Sequence, residues 1–524
     1  MAPGKTRPQE LEHALQYRAT LFTKEDGPVP VQTTSVYCRR CNTRYHSNYY
    51  VHANASLRTY YPGIPDVIQV ATHYFAQREL SEWFANMMTF AWTSATNCAR
   101  IYNLTMQDEP TQYRFPAVSW PSKGEMDVEH VWDMFFLAAL LRDAQDHDTV
   151  LELPHSAVSQ FERVLPALQR RNLAMAGPGQ PQWNHACDLC CWVTEDENGH
   201  ACAVRSCVTD GVSIGHPCCA VHDCNEPLIT KKGARYCTQH SYKEHECSVL
   251  ACSNPAPSGF RTCTDPTHRA LEDYLRLENK AMFQLKRRLQ QLNPGSKTTS
   301  MAPVASLDAT QIRQLQTASE EASRPLVVPK PVTGNKKHRA QLGRRRTHNE
   351  ELAVASCGVI LGRATFMGSE AINGVLHFWK TLFPTPQSVP QVMWHDQNCR
   401  LWSVLQNSDE RTRAHFAHCA LPVDVFHFKC KHKESDVVCG THCNPYIWPE
   451  LRTSEGGWRF NSSAAEQANV WFDKFQPIVR EMHVDRYNFF LDEVIRRRNE
   501  YMVEELRRRG YSPYLIPRED LLAM

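Results

Sequence analysis

The sequence predicts an α/β chain, α+β overall, in which a core of alternating strands and helices is interrupted by a metal-stapled Cys/His block. Three observations carry that prediction. From about residue 350 onward the apolar pattern alternates between strand and helix periods, with strands expected at 354–364, 391–394 and 423–428 and helices at 371–382, 411–419 and 463–481. Earlier, a strand-like run at 201–208 ends in the turn signal Thr209-Asp210-Gly211. Immediately after it comes a block, 218–268, dense in cysteine and so poor in Leu, Ile and Phe that it cannot pack without a staple.

A chain of 524 residues exceeds one ordinary core, so several domains are expected. Residues 1–35 carry Pro, Gly and charge without apolar periodicity and read as a disordered tail. Residues 36–195 read as an α-rich N-terminal domain, helical at 80–102 and 128–142, bearing a zinc-ribbon-like Cys38-x2-Cys41 element. The first core strands occupy 196–218, the zinc cluster 219–269 and a helix 270–293. Met282, Leu285, Leu289 and Leu292 share one face of that helix; packing within its own domain is favoured, with self-association as the alternative. A linker rich in Ser, Thr, Pro and Gln spans 294–349, the rest of the core 350–500 and a C-terminal tail 501–524.

A hydrophobic share of 42% with 10% aromatics belongs to a globular protein. The net charge of +2 gives no general attraction for phosphate, so nucleic-acid binding has to come from local clusters. Lys336, Lys337, Arg339, Arg344, Arg345 and Arg346 form such a cluster, suited to phosphate neutralisation or nuclear import, with a solvated flexible segment as the alternative. Lys286, Arg287 and Arg288, and Arg496, Arg497 and Arg498, are two further basic patches. Cysteines number 21, an odd count, and the opening MAPGKTRPQELEHALQ holds no apolar stretch of signal-peptide length, so reduced thiols inside the cell are expected. The longest apolar run, 134–141, falls far short of the roughly 20 residues that cross a bilayer.

Within the cysteine block the spacing Cys219-x4-Cys224-x12-Cys237-x2-His240 is followed by Cys247-x4-Cys252-x10-Cys263-x4-His268. Thiolate and imidazole are the ligands Zn²⁺ prefers, and four close a tetrahedral site. Much the same pattern twice over favours two tandem structural zinc sites over an interleaved pair, with Cys218 and His222 as substitutes. Cys187-x2-Cys190 and Cys38-x2-Cys41 are two half-sites that could close one all-cysteine site. Cys430, His432, Cys439, His442 and Cys443 offer a further cluster, which could equally orient a polar site without metal. Cys357 and Cys399 stand alone and read as core thiols.

An RNase H-like nuclease core needs an Asp on its first strand, an Asp at the end of its fourth and an acid on a following helix; these hold two divalent ions for phosphodiester chemistry. Asp210, Asp396 and Glu466 meet that order, although a turn residue, a helix cap and a solvated acid would read the same.

Three stretches carry a resemblance: YCRRCNTRYHSNYYVHANASLRTYYPG; WNHACDLCCW through VTDGVSIGHPCCAVHDC; and GRRRTHNEELAVASCGVILGRATFMGSEA with its continuation to Glu493. They resemble the fungal cysteine-cluster proteins associated with KDZ (Kyakuja, Dileera, Zisupton) transposases. The resemblance implies a DDE-type transposase or a descendant of one, with the cysteine cluster inserted into an RNase H-like core. In that comparison WHDQNC is similar to the segment of the second acid, Asp396, SSAAEQANVWF to that of the third, Glu466, and VTDG to that of the first, Asp210. FHFKCKH, followed by Cys439, is similar to the His and Cys signature between the last two acids.

Three functions follow as expectations. The first is a metal-dependent DNA strand-transfer enzyme acting on element ends and target DNA, with Mg or Mn at the acids, structural Zn at the cysteines and a nuclear location. The second is a non-catalytic zinc protein, domesticated or accessory, that binds DNA or protein. The third is an interaction module of the ubiquitin-ligase kind, which an interleaved zinc fold would suit.

Overall fold

The computed structural model describes residues 11–106, 124–195, 201–214, 218–221, 224, 226, 228, 234–250, 252–278, 349–366, 371–430 and 436–523. The basic run 336–346, the Lys286–Arg288 patch, most of the linker, His222 and His432 lie outside these residues.

The N-terminal part opens with β1 (Glu12–Phe22) and β2 (Pro28–Cys38), a long antiparallel hairpin in register Ala19↔Val31. Gly27, with φ +73°, makes its turn, and the Thr23 hydroxyl donates to the Gly27 carbonyl. The expected tail over 1–35 is therefore corrected to strand over 12–38. The start of β1 is exposed, so its polar residues hide the two-residue period that marks a half-buried strand. β3 (Thr43–Tyr45), β4 (Tyr49–His52), β5 (Leu57–Tyr60), β6 (Val67–Ala71), β7 (Tyr74–Gln77) and β8 (Glu152–Pro154) complete a sheet ordered β6-β7-β1-β2-β3-β4-β5-β8. Helices α1 (Arg78–Ala91), α2 (Ala95–Met106), α3 (Val128–Asp146) and α4 (Gln160–Met175) complete this part, so the α-rich expectation for 36–195 captured the helices and missed the sheet. α3 starts at Asp127, whose carboxylate accepts the Val128 N–H, and it is buried continuously from Val131 to Leu141.

The second part is organised around one strand. After β9 (His185–Ala186) and β10 (Cys191–Glu195), β11 (Ala201–Val212) pairs antiparallel with β10 through its first half. Its second half pairs antiparallel with β12 (Asn349–Ala355), which hairpins into β13 (Ile360–Phe366). Between β11 and β12 in the chain lie the cysteine block and α5 (Pro266–Glu278). Beyond α6 (Ile372–Leu382), β14 (Val392–Trp394) returns parallel to β11, and Val392 makes one parallel bridge to Ala420. Then follow α7 (Asn398–Gln406), α8 (Glu410–His415), α9 (Val425–Cys430), α10 (Ala464–Phe472) and the long α11 (Val484–Arg508). β15 (Tyr514–Leu515) pairs with β9.

Four expectations are corrected here. The strand expected at 354–364 is a hairpin, because Gly358 adopts φ +95° and turns the chain. The strand at 423–428 is the short helix α9, because the Asp424 carboxylate accepts the N–H groups of Phe426 and His427 and starts a helical turn. The helix at 463–481 ends at Phe472 and continues as short turns around Pro477. The C-terminal tail is ordered by the β15–β9 pairing and by burial of Leu521.

The two parts share one apolar core: Trp132, Phe135 and Phe136 of α3 meet Phe489 and Phe490 of α11. Glu493 is fully buried there and accepts hydrogen bonds from Arg171 (3.0 Å), Arg496 (2.6 and 2.9 Å) and Arg497 (2.9 Å). Burial alone would raise its carboxyl; the charges of Arg496, Arg497 and Arg171 overcome that and hold it well below the usual range. Arg496 and Arg497 therefore face inward to an ion cluster rather than forming a basic surface patch. No helix among the described residues is long and apolar enough to cross a membrane. Glu493→Ala should remove the carboxylate shared by three buried guanidinium groups and cost about 3 to 5 kcal/mol of unfolding free energy, measured by urea titration; a change below about 1 kcal/mol would show that the cluster is not structural.

Candidate metal centres

In the cysteine block the structure gathers Cys219, Cys224, Cys237 and His240 in one group and Cys247, Cys252, Cys263 and His268 in another, the ligand atoms of each all within 4.8 Å of one another. In the first, Cys224 Sγ lies 3.8 Å from Cys237 Sγ, and His240 Nδ1 lies 3.6 Å from Cys219 Sγ and 3.3 Å from Cys237 Sγ. In the second the corresponding separations are 3.9, 3.6 and 3.3 Å. A zinc tetrahedron with Zn–S near 2.3 Å has S–S edges of about 3.8 Å, so both groups fit a bound Zn²⁺ that these residues would hold.

The backbone repeats as well. Ala220 N–H donates to the Arg235 carbonyl and Ser248 N–H to that of Arg261, both at 2.8 Å; Cys224 N–H donates to Val221 and Cys252 N–H to Val249. Each module is one small loop unit, and the pair is joined by Arg235, which reaches the Ser248 hydroxyl at 2.7 Å. α5 supplies His268 from its first turn, and its Glu272 accepts from the N–H groups of Arg261 and Thr262.

The expected joint site of Cys38 and Cys41 with Cys187 and Cys190 does not form. Cys187 and Cys190 gather instead with His185 and Cys357. Cys41 is exposed at the β2–β3 turn, where its thiol lies 3.6 Å from the Tyr45 hydroxyl, and is drawn down to about 7 mainly by hydrogen bonds from Thr43 and Tyr45. The cluster expected at 430–443 is also redrawn. Cys439 groups with Cys399 and Asp436, Cys443 is buried beside them, His442 stacks on Trp402 at 4.0 Å, and Cys430 is exposed. Sequence spacing missed Cys357 and Cys399 because both arrive from other elements.

The three acids occupy a separate region. β11 and β14 are parallel neighbours with Val208 opposite Trp394, so Asp210, still within β11 opposite Leu352, and Asp396, in the turn after β14, come to the same end of the sheet. Glu466 lies in the first turn of α10, which packs across β11 and β12. One turn later Asn469 donates to Asp210 Oδ2 at 2.8 Å and so ties the helix to the strand. Gly211 lets the side chains of Asn349 and Glu351 approach closely, since a Cβ there would stand 2.5 Å from Glu351 Oε1.

Burial raises the Asp210 carboxyl to about 6, and the charges of Asp396 and Glu466 push the same way against the Asn469 hydrogen bond. Glu466 also has partners that the sequence reading did not name as site residues. His427 Nδ1 lies 3.1 Å from Asp424 Oδ1 and 3.4 Å from Glu466 Oε1, and the Ser462 hydroxyl donates to Asp424 Oδ2 at 2.6 Å. Among the described residues Glu466 gathers within 4.8 Å with Asp424 and His427, and not with Asp210 and Asp396. The Asp-x2-His spacing inside the apolar run 423–428 was the available signal.

A carboxyl raised from 3.8 to about 6 binds its proton more tightly folded than unfolded. Its stabilising contribution, about 2 to 3 kcal/mol, is full below about pH 4 and lost as pH rises through about 6. In Mg-free buffer Asp210→Asn should flatten this part of the stability profile, read by urea melts from about pH 4 to about pH 7; parallel profiles for the two proteins would contradict the assignment.

Residues 1–106 match the family model described as CxC5 like cysteine cluster associated with KDZ transposases, and residues 208–274 match the one described as CxC6 like cysteine cluster associated with KDZ transposases. No curated protein and no solved structure matches the chain. The first match covers the β1–β2 hairpin with Cys38 and Cys41; the second begins at Val208 and takes in Asp210 and both zinc modules. The chain thus carries two cysteine-cluster segments of the kind associated with KDZ transposases.

Proposed function

We propose that this transposon-derived chain binds DNA and has an RNase H-like core, in which Asp210, Asp396 and Glu466 form a DDE-type site for Mg²⁺ or Mn²⁺ serving DNA cleavage and strand transfer. The observation that carries this reading is the parallel register of β11 and β14, which brings Asp210 and Asp396 to one end of the sheet beside the helix of Glu466. In an RNase H-like core the first three strands are antiparallel neighbours in sequence order and the fourth lies parallel beside the first. β11, β12, β13 and β14 have that order and those directions.

The donor chemistry fits the proposed ions. Carboxylates are hard oxygen ligands, and Asp210, disfavoured as an anion by burial and like charges, is the group a divalent cation would relieve. Such ions, when bound, activate water or a 3′-hydroxyl and stabilise the leaving oxygen. The chain's own residues orient the acids: Asn469 holds one oxygen of Asp210, and His427 Nδ1 stands between Asp424 and Glu466. DNA contact is assigned to the zinc modules and to the basic run Lys336, Lys337, Arg339, Arg344, Arg345 and Arg346, which also suits nuclear import.

A second reading, a non-catalytic zinc protein that binds DNA or protein, is favoured by one observation: Glu466 sits at ligand distance from Asp424 and His427 rather than from the two aspartates. The tandem grouping of ligands counts against the interleaved, ubiquitin-ligase-like reading.

Mn²⁺-dependent nicking of supercoiled plasmid, followed on gels, should fall by about 100-fold or more in Asp396→Ala. Equal nicking in both proteins, or none in either, removes the enzyme reading and leaves the second. For DNA binding, replacing the six basic residues at 336–346 with Gln should reduce the slope of log K against log salt by up to about 5, read by fluorescence anisotropy on duplex DNA; an unchanged slope would show that this run does not touch phosphate.

A further inference from the structure

Two separated pieces of chain meet beside the middle of β11, where the Ser206 N–H donates to the Cys190 carbonyl and the Ser356 N–H to the Ser206 carbonyl. The first is the turn at Cys187–Cys190, where the N–H groups of Cys190 and Cys191 both donate to the Cys187 carbonyl, at 3.0 and 2.9 Å. That curl presents two sulfurs 3.7 Å apart. Two residues before that turn stands His185 on β9, the short strand held by β15. The second piece brings Cys357, in the tight turn between β12 and β13, whose Sγ lies 3.3 Å from His185 Nε2. All four ligand atoms lie within 4.8 Å of one another, three of the residues are buried and the fourth half-buried.

We propose that His185, Cys187, Cys190 and Cys357 hold a structural Zn²⁺ that staples the β12–β13 turn to the β9–β10 turn. All four residues lie outside the two segments matched by cysteine-cluster models. The separations suit a tetrahedron with S–S edges of about 3.8 Å, and four protein ligands leave no open position, as in a structural rather than a catalytic site. Charge balance supports the assignment. Zn²⁺ with three thiolates and a neutral imidazole carries one negative charge, and the half-buried guanidinium of Arg498, which donates to the Gly358 carbonyl beside Cys357 at 2.8 Å, supplies its counter-charge.

The staple acts on the strand that bears Asp210. Cys207 of β11 pairs with Ala355, and the hydroxyls of Ser206 and Ser356 touch at 2.7 Å, so fixing Cys357 fixes the β11–β12 register. A one-residue slip there would turn Asp210 to the opposite face of the sheet. The metal would stand about 13 Å along the strand from Asp210, at the span of four residues, and so act through register alone.

Zinc content of the full chain, measured by plasma mass spectrometry, should fall by one equivalent in Cys357→Ser and not in the exposed-thiol control Cys202→Ser. Cys357→His should restore the equivalent, and its cobalt-loaded form should lose one thiolate's share of the charge-transfer absorption. Should Cys357→Ser fail to fold, the parent decides the matter: Cys187, Cys190 and Cys357 should resist alkylation with zinc bound and become labelled together on chelation. Equal zinc in the parent and Cys357→Ser, or labelling of these three thiols that is indifferent to chelation, would overturn the proposal.

Discussion

The pairing of β11 with its neighbours is the constraint on which the rest of the molecule depends. One strand takes β10 along its first half, β12 along its second and β14 in parallel, so it fixes the relative heights of four chain segments. Side chains alternate across a strand, and a shift of one residue would therefore exchange the face carrying Asp210 with the face packed on the core. The close contact at Gly211, the Ser206–Ser356 hydroxyl pair and the Asn469–Asp210 hydrogen bond all act on that register.

Around this strand the chain places charge in two different ways. In the α11 cluster Glu493 is enclosed by three guanidinium groups, whose outer partners are Glu82, Glu500 and Asp143. Such an ion-paired network favours one arrangement of α4, α1 and α11, because a displacement separates buried opposite charges. At the acids the balance is the reverse: like charges face one another beside a buried carboxyl, a state that costs free energy until a proton or a cation arrives. The same fold thus holds one cluster of opposite charges for cohesion and one cluster of like charges around Asp210.

The metal-binding groups divide along a similar line. The tandem modules are local: every candidate ligand comes from one stretch of chain with little apolar content, so a metal held there would staple that loop by itself. The His185–Cys357 group is non-local and sits among apolar side chains including Trp183, Val359 and Leu361. There a metal would add to a core that already exists, tightening a turn rather than creating a fold.

The sequence by itself determined the local features. Cys and His spacing identified both tandem groups, because ligands a few residues apart can be joined by one turn of backbone whatever surrounds them. Periodicity identified α3, α6, β11 and β14, whose apolar runs are long or strongly bounded. It failed where a local hydrogen bond or a polar face overrode it: Asp424 capping a helix inside a strand-like run, the exposed start of β1, and Gly358 dividing one apolar run into a hairpin. Only the tertiary structure decided that Cys357 closes the group of Cys187 and Cys190, that Arg496 and Arg497 turn inward, and that Asp424 and His427 meet Glu466. Each of these joins residues far apart in sequence, and such contacts are set by sheet register and helix packing, which no short window of residues encodes.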